Sequence, residues 1–253
     1  MKIETILTPS ELAALAQADL RATACVVFDI LRATSTFVAA LQNGAQEIIP
    51  VREIPEAVAL RQQRPDVLLA GERDGVKIRA AQSGGIDFDF GNSPREFTPE
   101  RIRGRTIAST TTNGTRALRA CAGAQSILAA SFLNLAATAD FLQREKFTGV
   151  LLVCAGTGEN AALEDVLAAG ALADLLAARE SHSPAFSDAT EIAWRTFLEA
   201  QPDLPAVLDH SQNARRLLAI PELRGDVAFC RQRDIFDLVA EMGVDGAIRR
   251  RGF

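Results

Sequence analysis

The stretch Val26-Val27-Phe28-Asp29-Ile30-Leu31-Arg32-Ala33-Thr34-Ser35-Thr36 decides how this chain is read. With Cys25 it opens as an apolar, β-branched run of the length of a buried strand. The run then breaks into a carboxylate, an arginine and three hydroxyl residues. An amphipathic helix is expected over residues 37–42, closed by Asn43-Gly44. A strand, a polar turn and a helix N-terminus in that order make a ligand site in open α/β sheets, where ligands bind at the carboxyl ends of strands. Helix N-termini attract anions through free N–H groups and the macrodipole. Asp29 can hold a metal or act on a phosphoryl group. Arg32 can pair with an oxyanion, and Thr34, Ser35 and Thr36 can cap the helix and donate hydrogen bonds. The same residues can also serve only as turn and caps, and this stretch alone leaves both readings open.

The pattern recurs along the chain. Strands are expected at residues 1–7 (an edge strand), 47–51, 66–71, 105–108, 126–130, 150–154 and 226–230. Helices are expected from Thr8-Pro9-Ser10-Glu11 to about Leu20, and at 55–63, 116–121, 134–144, 164–178, 189–199 and 211–218. Residues 81–94 and 181–187 read as loops, and the tail after Ile235, which mixes charges with glycines, is left unassigned. Strands alternating with helices are the α/β signature, here a layered α/β/α arrangement with a mixed sheet. The 253 residues suit one domain, 1–253, with two similar lobes meeting at the active site as one version of it. An internal echo bears on that version. Gly44-Ala45-Gln46-Glu47-Ile48-Ile49 matches Gly123-Ala124-Gln125-Ser126-Ile127-Leu128, and at the same offset Thr34-Ser35-Thr36 falls on Asn113-Gly114-Thr115. A duplicated strand–turn–helix–strand unit would produce this, and so would chance among common residues.

Hydrophobic residues make up 48% and charged residues 23%, the balance of an ordinary globular chain. A net charge of −5 argues against nucleic acid as the main partner but leaves a small anionic substrate open, because a local arginine or a metal overrides a weak global field. The cysteines Cys25, Cys121, Cys154 and Cys230 are far apart and in apolar contexts, which reads as reduced, buried thiols. There is no basic-then-apolar leader pattern and no membrane-length apolar run, so a cytoplasmic protein is expected. A homodimer is left open.

Several polar clusters follow apolar runs directly: Asp29 with Arg32, Glu72-Arg73-Asp74, Thr110 to Thr115, and the glycine turn leading to Glu164-Asp165. In a parallel or mixed sheet such ends gather at one rim. Gathered carboxylates in a chain whose only histidines are His182 and His210 point to a hard cation such as Mg²⁺, not to zinc. No GxSxG elbow, Walker loop or GxGxxG fingerprint is present.

Taken together, DILRATST (29–36), LAGER (69–73), GNSP (91–94), TTTNGT (110–115), Asn134, CAGTG (154–158) and LEDVLAAG (163–170) resemble the 2-phosphosulfolactate phosphatase (ComB) family, with DVAFC (226–230) and Asp234 fitting its late motif. The resemblance runs from about Val26 to Asp234. It implies an α/β phosphatase that uses Mg²⁺ to hydrolyse 2-phospho-3-sulfolactate, a step toward coenzyme M in methanogens. Residues 79–86 and 239–243 depart from the family pattern and bear on the shape of the pocket. On this reading Asp29, Arg32 and Glu164 are catalytic, and Asp29, Glu72, Asp74, Glu164 and Asp165 supply the metal ligands. Phosphate and substrate fall to Thr34, Ser35, Thr36, Asn92, Ser93, Thr112, Asn113, Gly114, Thr115 and Asn134, with Arg73 or Arg116 taking the sulfonate or carboxylate. Two routes stay open: water activated by a carboxylate, or an aspartyl-phosphate on Asp29. The rival from another class is a non-catalytic anion sensor on the same scaffold.

Overall fold

The computed structural model describes residues 1–145, 147–179 and 184–252. The expected loop at 181–187 falls partly, and His182 wholly, outside the described residues. Two strands open the chain, β1 (Lys2–Ile6) and β2 (Thr23–Phe28), joined through a 3₁₀ segment, Pro9–Gln17, whose entry is held by the Thr8 N–H donating to Glu11 at 2.9 Å. Helix α1 (Ala33–Gln42) leads to β3 (Glu47–Pro50), and α2 (Ile54–Gln63) to the hairpin β4 (Leu68–Arg73) and β5 (Val76–Lys77). Two single turns, α3 (Ala80–Ser83) and α4 (Pro99–Ile102), precede β6 (Thr106–Thr110), α5 (Gly114–Ala120) and β7 (Ser126–Ala130). Then come α6 (Leu135–Glu145), β8 (Gly149–Cys154), α7 (Leu163–Arg179), β9 (Ala185–Phe186) and α8 (Asp188–Ala200). The chain closes with α9 (Leu204–Asp209), α10 (Gln212–Leu218), α11 (Arg224–Cys230), β10 (Ala240–Met242) and β11 (Ile248–Arg250).

The fold is α/β with a mixed sheet, in the order β5-β4-β6-β3-β11-β10-β7-β2-β8-β1-β9. β7, β2, β8, β1 and β9 are mutually parallel, as are β4, β6 and β3. The C-terminal pair β10–β11 joins these two sets and is antiparallel at all three of its junctions. Three reversals in succession mean that the two parallel sets run in opposite directions. The connections also exchange: β2 leads through α1 to β3 in the other set, and β6 leads through α5 back to β7.

A flat sheet with this topology would put the carboxyl ends of β2 and β8 on the opposite rim from those of β4 and β6. The sheet instead wraps around α1. Phe37, Val38, Ala40 and Leu41 of α1 share one core with Cys25 and Val27 of β2, Ile127 and Ala129 of β7, and Ile48, Ile107, Ala240 and Ile248 from the other side. Every residue from Ala33 to Leu41 is buried. The expected amphipathic helix at 37–42 is therefore corrected: it begins four residues earlier and is covered on all sides, as an enclosed helix must be. The hydroxyl residues that would weaken its first turn are satisfied there. Thr34 Oγ1 accepts the Asp29 N–H at 3.0 Å, Ser35 donates to the Ile30 carbonyl at 2.9 Å, and Thr36 donates to the Asn92 carbonyl at 2.9 Å. On the outer face α6, α7 and α8 pack over β2, β7 and β8.

Two further expectations are corrected. Residues 226–230 are the end of α11, not a strand, because Val227 packs helix-to-helix on Ala214 and Leu217 of α10. The unassigned tail supplies β10 and β11 at the middle of the sheet, and β1 lies beside the edge strand β9. All four cysteines are buried and free. Among the described residues no helix is long and apolar enough to cross a membrane.

Candidate active site

The curl of the sheet brings the ends of four strands, with two further segments, to one cleft of about 290 Å³. Asp29, Leu31 and Arg32 enter it from the end of β2, Glu72, Asp74 and Gly75 from β4 and its turn, and Thr111, Thr112 and Asn113 from the end of β6. Gly156, Thr157 and Gly158 follow β8, Asn92 comes from the GNSP turn, and α10 contributes Asn213, Arg216 and Leu217.

Asp29 stands where α1 and α5 begin. One of its oxygens accepts the Ala33 N–H at 3.1 Å, and the Gly114 N–H also points at its carboxylate. Contact here is so close that a Cβ on Gly114 would lie 2.7 Å from Asp29 Oδ2 and 2.9 Å from Ala33 Cβ, so the residue must be glycine. Burial, then the Glu72 and Glu164 carboxylates, push the Asp29 carboxyl up to about 6 against the pull of the two N–H groups.

Glu164 and Asp165 open α7 and are both buried. Their surroundings separate their roles. Asp165 accepts the Ile30 N–H at 2.8 Å on one oxygen and the Gly156 N–H at 2.9 Å on the other. It ties the loop after β2 to the loop after β8. Burial, followed by Glu164 and Asp29, raises its carboxyl well above the usual carboxylate range. Glu164 accepts from Asn213 Nδ2 at 2.6 Å through Oε1, while its buried Oε2 has no hydrogen-bond partner among the described residues. A buried carboxylate oxygen without a donor is costly to leave unmatched, and it calls for a cation or a donor brought by a ligand.

Arg32 forms the basic floor. Only 3% exposed, it donates to Asp226 Oδ2 at 2.6 Å and to the Gly75 carbonyl at 2.7 Å. Asp226 is fully buried and also accepts the Ser93 hydroxyl at 2.6 Å. Asn113 Nδ2 donates to the Ala155 carbonyl at 2.9 Å and the Gly158 carbonyl at 3.1 Å, which clamps the end of β6 to the glycine turn after β8.

With this geometry in place, comparison with known sequences is decisive. Residues 8–243 match the 2-phosphosulpholactate phosphatase family. The chain belongs to the 2-phosphosulfolactate phosphatase family. Its relatives include proteins named probable 2-phosphosulfolactate phosphatase from Thermotoga petrophila (41% identical, 85% of this chain and 86% of the relative) and Caldicellulosiruptor saccharolyticus (38%, 85% and 87%). Another from Thermosynechococcus vestitus is 35% identical over 94% of this chain and 95% of the relative. The family is one of phosphoric monoester hydrolases.

In this phosphosulfolactate phosphatase family member the residues singled out from sequence sort into three groups. Asp29, Arg32, Glu72, Asp74, Asn92, Thr112 and Asn113 line the cleft, and Glu164 couples to Asp29 beside it. A second group supports it: Thr34, Ser35, Thr36, Ser93, Gly114 and Asp165 make the internal contacts given above, and Thr115 shares a hydrogen bond with Thr111 at 3.3 Å. The third group lies apart. Arg116 pairs with Glu159, Arg73 donates to the Glu72 carbonyl and to Thr110, and Asn134 is a buried cap bonded to the Ser131 N–H and the Leu238 carbonyl. Among the described residues no three acidic, histidine or cysteine side chains are grouped to hold a metal, so the five expected carboxylates do not form one ligand cage. Glu72 is engaged at both oxygens, one accepting the Gly75 N–H of its own hairpin at 2.7 Å and the other the Thr112 hydroxyl at 3.3 Å and N–H at 3.4 Å. Sequence reading missed Asp226 as the partner of Arg32 because the expected strand at 226–230 hid it, it missed Asn213 and Arg216 because a short polar helix carries no motif, and within the quoted CAGTG run it gave Thr157 no role of its own. The Asn213-Ala214-Arg215-Arg216 run was the one available signal.

Proposed function

We propose that this protein is a Mg²⁺-dependent phosphatase that hydrolyses 2-phospho-3-sulfolactate, or a closely related phosphorylated hydroxy acid, to sulfolactate and phosphate. The names of its relatives support the substrate. The observation that carries the chemistry is the unpartnered, buried Glu164 Oε2 beside an Asp29 carboxyl held near neutrality.

The donor set fits magnesium. All candidate ligands are hard carboxylate oxygens, and Mg²⁺ commonly takes one or two carboxylates and completes its shell with water and substrate phosphate. Glu164 and Asp29 would hold it, and bound there it would neutralise phosphoryl oxygens. Asp165 has both oxygens committed to backbone N–H groups and is a positioning residue for the two loops.

Arg32 presents its remaining N–H groups to the phosphate, and its pair with Asp226 fixes the direction of the guanidinium. Asn92, Thr112 and Asn113 complete the polar wall. Asp29 then acts in one of two ways. It takes a proton from water whose oxygen attacks phosphorus in line as the bond to the sulfolactate oxygen breaks, or its own oxygen attacks phosphorus with the same bond breaking and water then hydrolyses the aspartyl-phosphate; on both routes the departing alkoxide takes a proton from water. Acid-quench trapping of labelled protein decides between them.

The test of the reading is phosphate release from phosphosulfolactate with Mg²⁺ and with a chelator. Activity that needs the metal is expected, and Glu164→Gln should lower kcat/KM by about 100-fold or more, the scale for losing an electrostatic catalytic group. An absence of release from phosphosulfolactate and from p-nitrophenyl phosphate, with Mg²⁺ present, would leave the anion-sensor reading instead.

A further inference from the structure

Two arginines line the cleft, and they differ in what holds them. Arg32 is buried and its charge is matched by Asp226 at 2.6 Å. Arg216 is exposed, and among the described residues it has no hydrogen-bond or ion-pair partner. It stands on α10 three residues after Asn213, whose amide holds Glu164 Oε1 at 2.6 Å and Thr157 Oγ1 at 2.6 Å. Positions i and i+3 share a helix face and are separated by about 4.5 Å along the axis. One face of α10 therefore steadies the proposed phosphate end of the cleft and, one turn further out, offers an uncommitted guanidinium at its mouth. The same cleft also has an apolar stretch of wall, made by Leu31 and Leu217. Asp74, also exposed and without an ion-pair partner among the described residues, faces the same cleft from the β4–β5 turn.

The substrate of the proposed reaction carries acid groups besides its phosphate. The residues first considered for them, Arg73 and Arg116, are engaged elsewhere. We infer that Arg216 binds the sulfonate of the substrate and so selects phosphate esters that carry a second strong acid group about one helical turn from phosphorus. This inference rests on the phosphatase reading above. A planar fork of N–H donors suits an oxyanion at a cleft mouth, where lysine would supply a single point charge. Asp74 acts against it: a carboxylate at the same mouth disfavours anions that Arg216 does not engage.

The experiment compares wild type, Arg216→Gln and Arg216→Lys on three esters with Mg²⁺ present: phosphosulfolactate, 2-phospholactate, which lacks the sulfonate, and p-nitrophenyl phosphate. In Arg216→Gln, kcat/KM on phosphosulfolactate should fall at least tenfold more than on 2-phospholactate or p-nitrophenyl phosphate, mainly through KM, with partial recovery in Arg216→Lys. Equal losses on all three esters, or no loss on any, would overturn the assignment. Failure of the underlying phosphatase reading would appear separately, as wild type that does not turn over phosphosulfolactate. Because the side chain is exposed, a circular-dichroism melt identical to wild type shows that the variants are folded.

Discussion

Asp29 shows at one residue how its proposed catalytic role works against stability. Its carboxyl is raised from 3.8 to about 6, so between those values the folded chain holds a proton that the unfolded chain has released. Stability of the metal-free protein from this group is thus full below about pH 4, falls as pH rises to about 6, and stays reduced above it. Asp29→Asn should therefore abolish turnover on either route and yet raise stability at pH 7 by on the order of 1–3 kcal/mol. Chelator-treated melts of both proteins at pH 4.5 and pH 7 check this, and a gain that does not grow with pH would refute it. Gly114 is the converse case. Gly114→Ala would drive a methyl to 2.7 Å from Asp29 Oδ2. The expected cost is about 1–3 kcal/mol of stability, with a loss of kcat/KM of the order of 100-fold or more, as small misplacements of reacting groups produce.

At the scale of elements, the site depends on short helices that present single side chains. α11 is anchored by Asp226, which joins Arg32 on the loop after β2 and Ser93 in the GNSP turn. Removing one partner of a buried ion pair leaves a bare charge, so Asp226→Ala should destabilise by about 3–5 kcal/mol. Denaturant titration would measure the stability, and the KM of the soluble fraction should rise because Arg32 is no longer aimed. A stability change under about 1 kcal/mol would show that the pair is not what holds α11. The misreading of 226–230 has a plain origin. A four-residue apolar run, Val227 to Cys230, fits a strand or a helix equally well by periodicity, and the contact of Val227 with Ala214 and Leu217 settles it.

For the whole molecule, the C-terminal hairpin matters most. It joins the two oppositely directed parallel sets, β11 pairing with β3 and β10 with β7. Deleting residues 240–252 should remove cooperative unfolding and all phosphate release, seen as a broad or absent thermal transition. A truncated chain that melts sharply near the wild-type temperature would contradict this. The hairpin was unreadable locally because its charges are satisfied in part from other strands: Glu241 accepts from Ser126 of β7 at 2.7 Å as well as from Arg251 of its own segment at 2.6 Å, and Arg249 pairs with Glu47 of β3 at 2.5 Å. In sequence these residues look like an exposed tail.

What the sequence determined by itself was the alternation of strands and helices and the set of polar residues that follow each strand, because hydrophobic period and turn chemistry are local. β8 and α7, with their long apolar runs, were legible for that reason, and so was the cluster around Asp29. Tertiary structure alone decided which carboxylate oxygen is left without a partner and which is consumed by backbone N–H groups, that Asp226 holds Arg32 across 194 residues, and that opposed strand ends share one cleft. Those outcomes depend on register and on the curl of the sheet around α1, which arise from contacts between segments far apart in the chain.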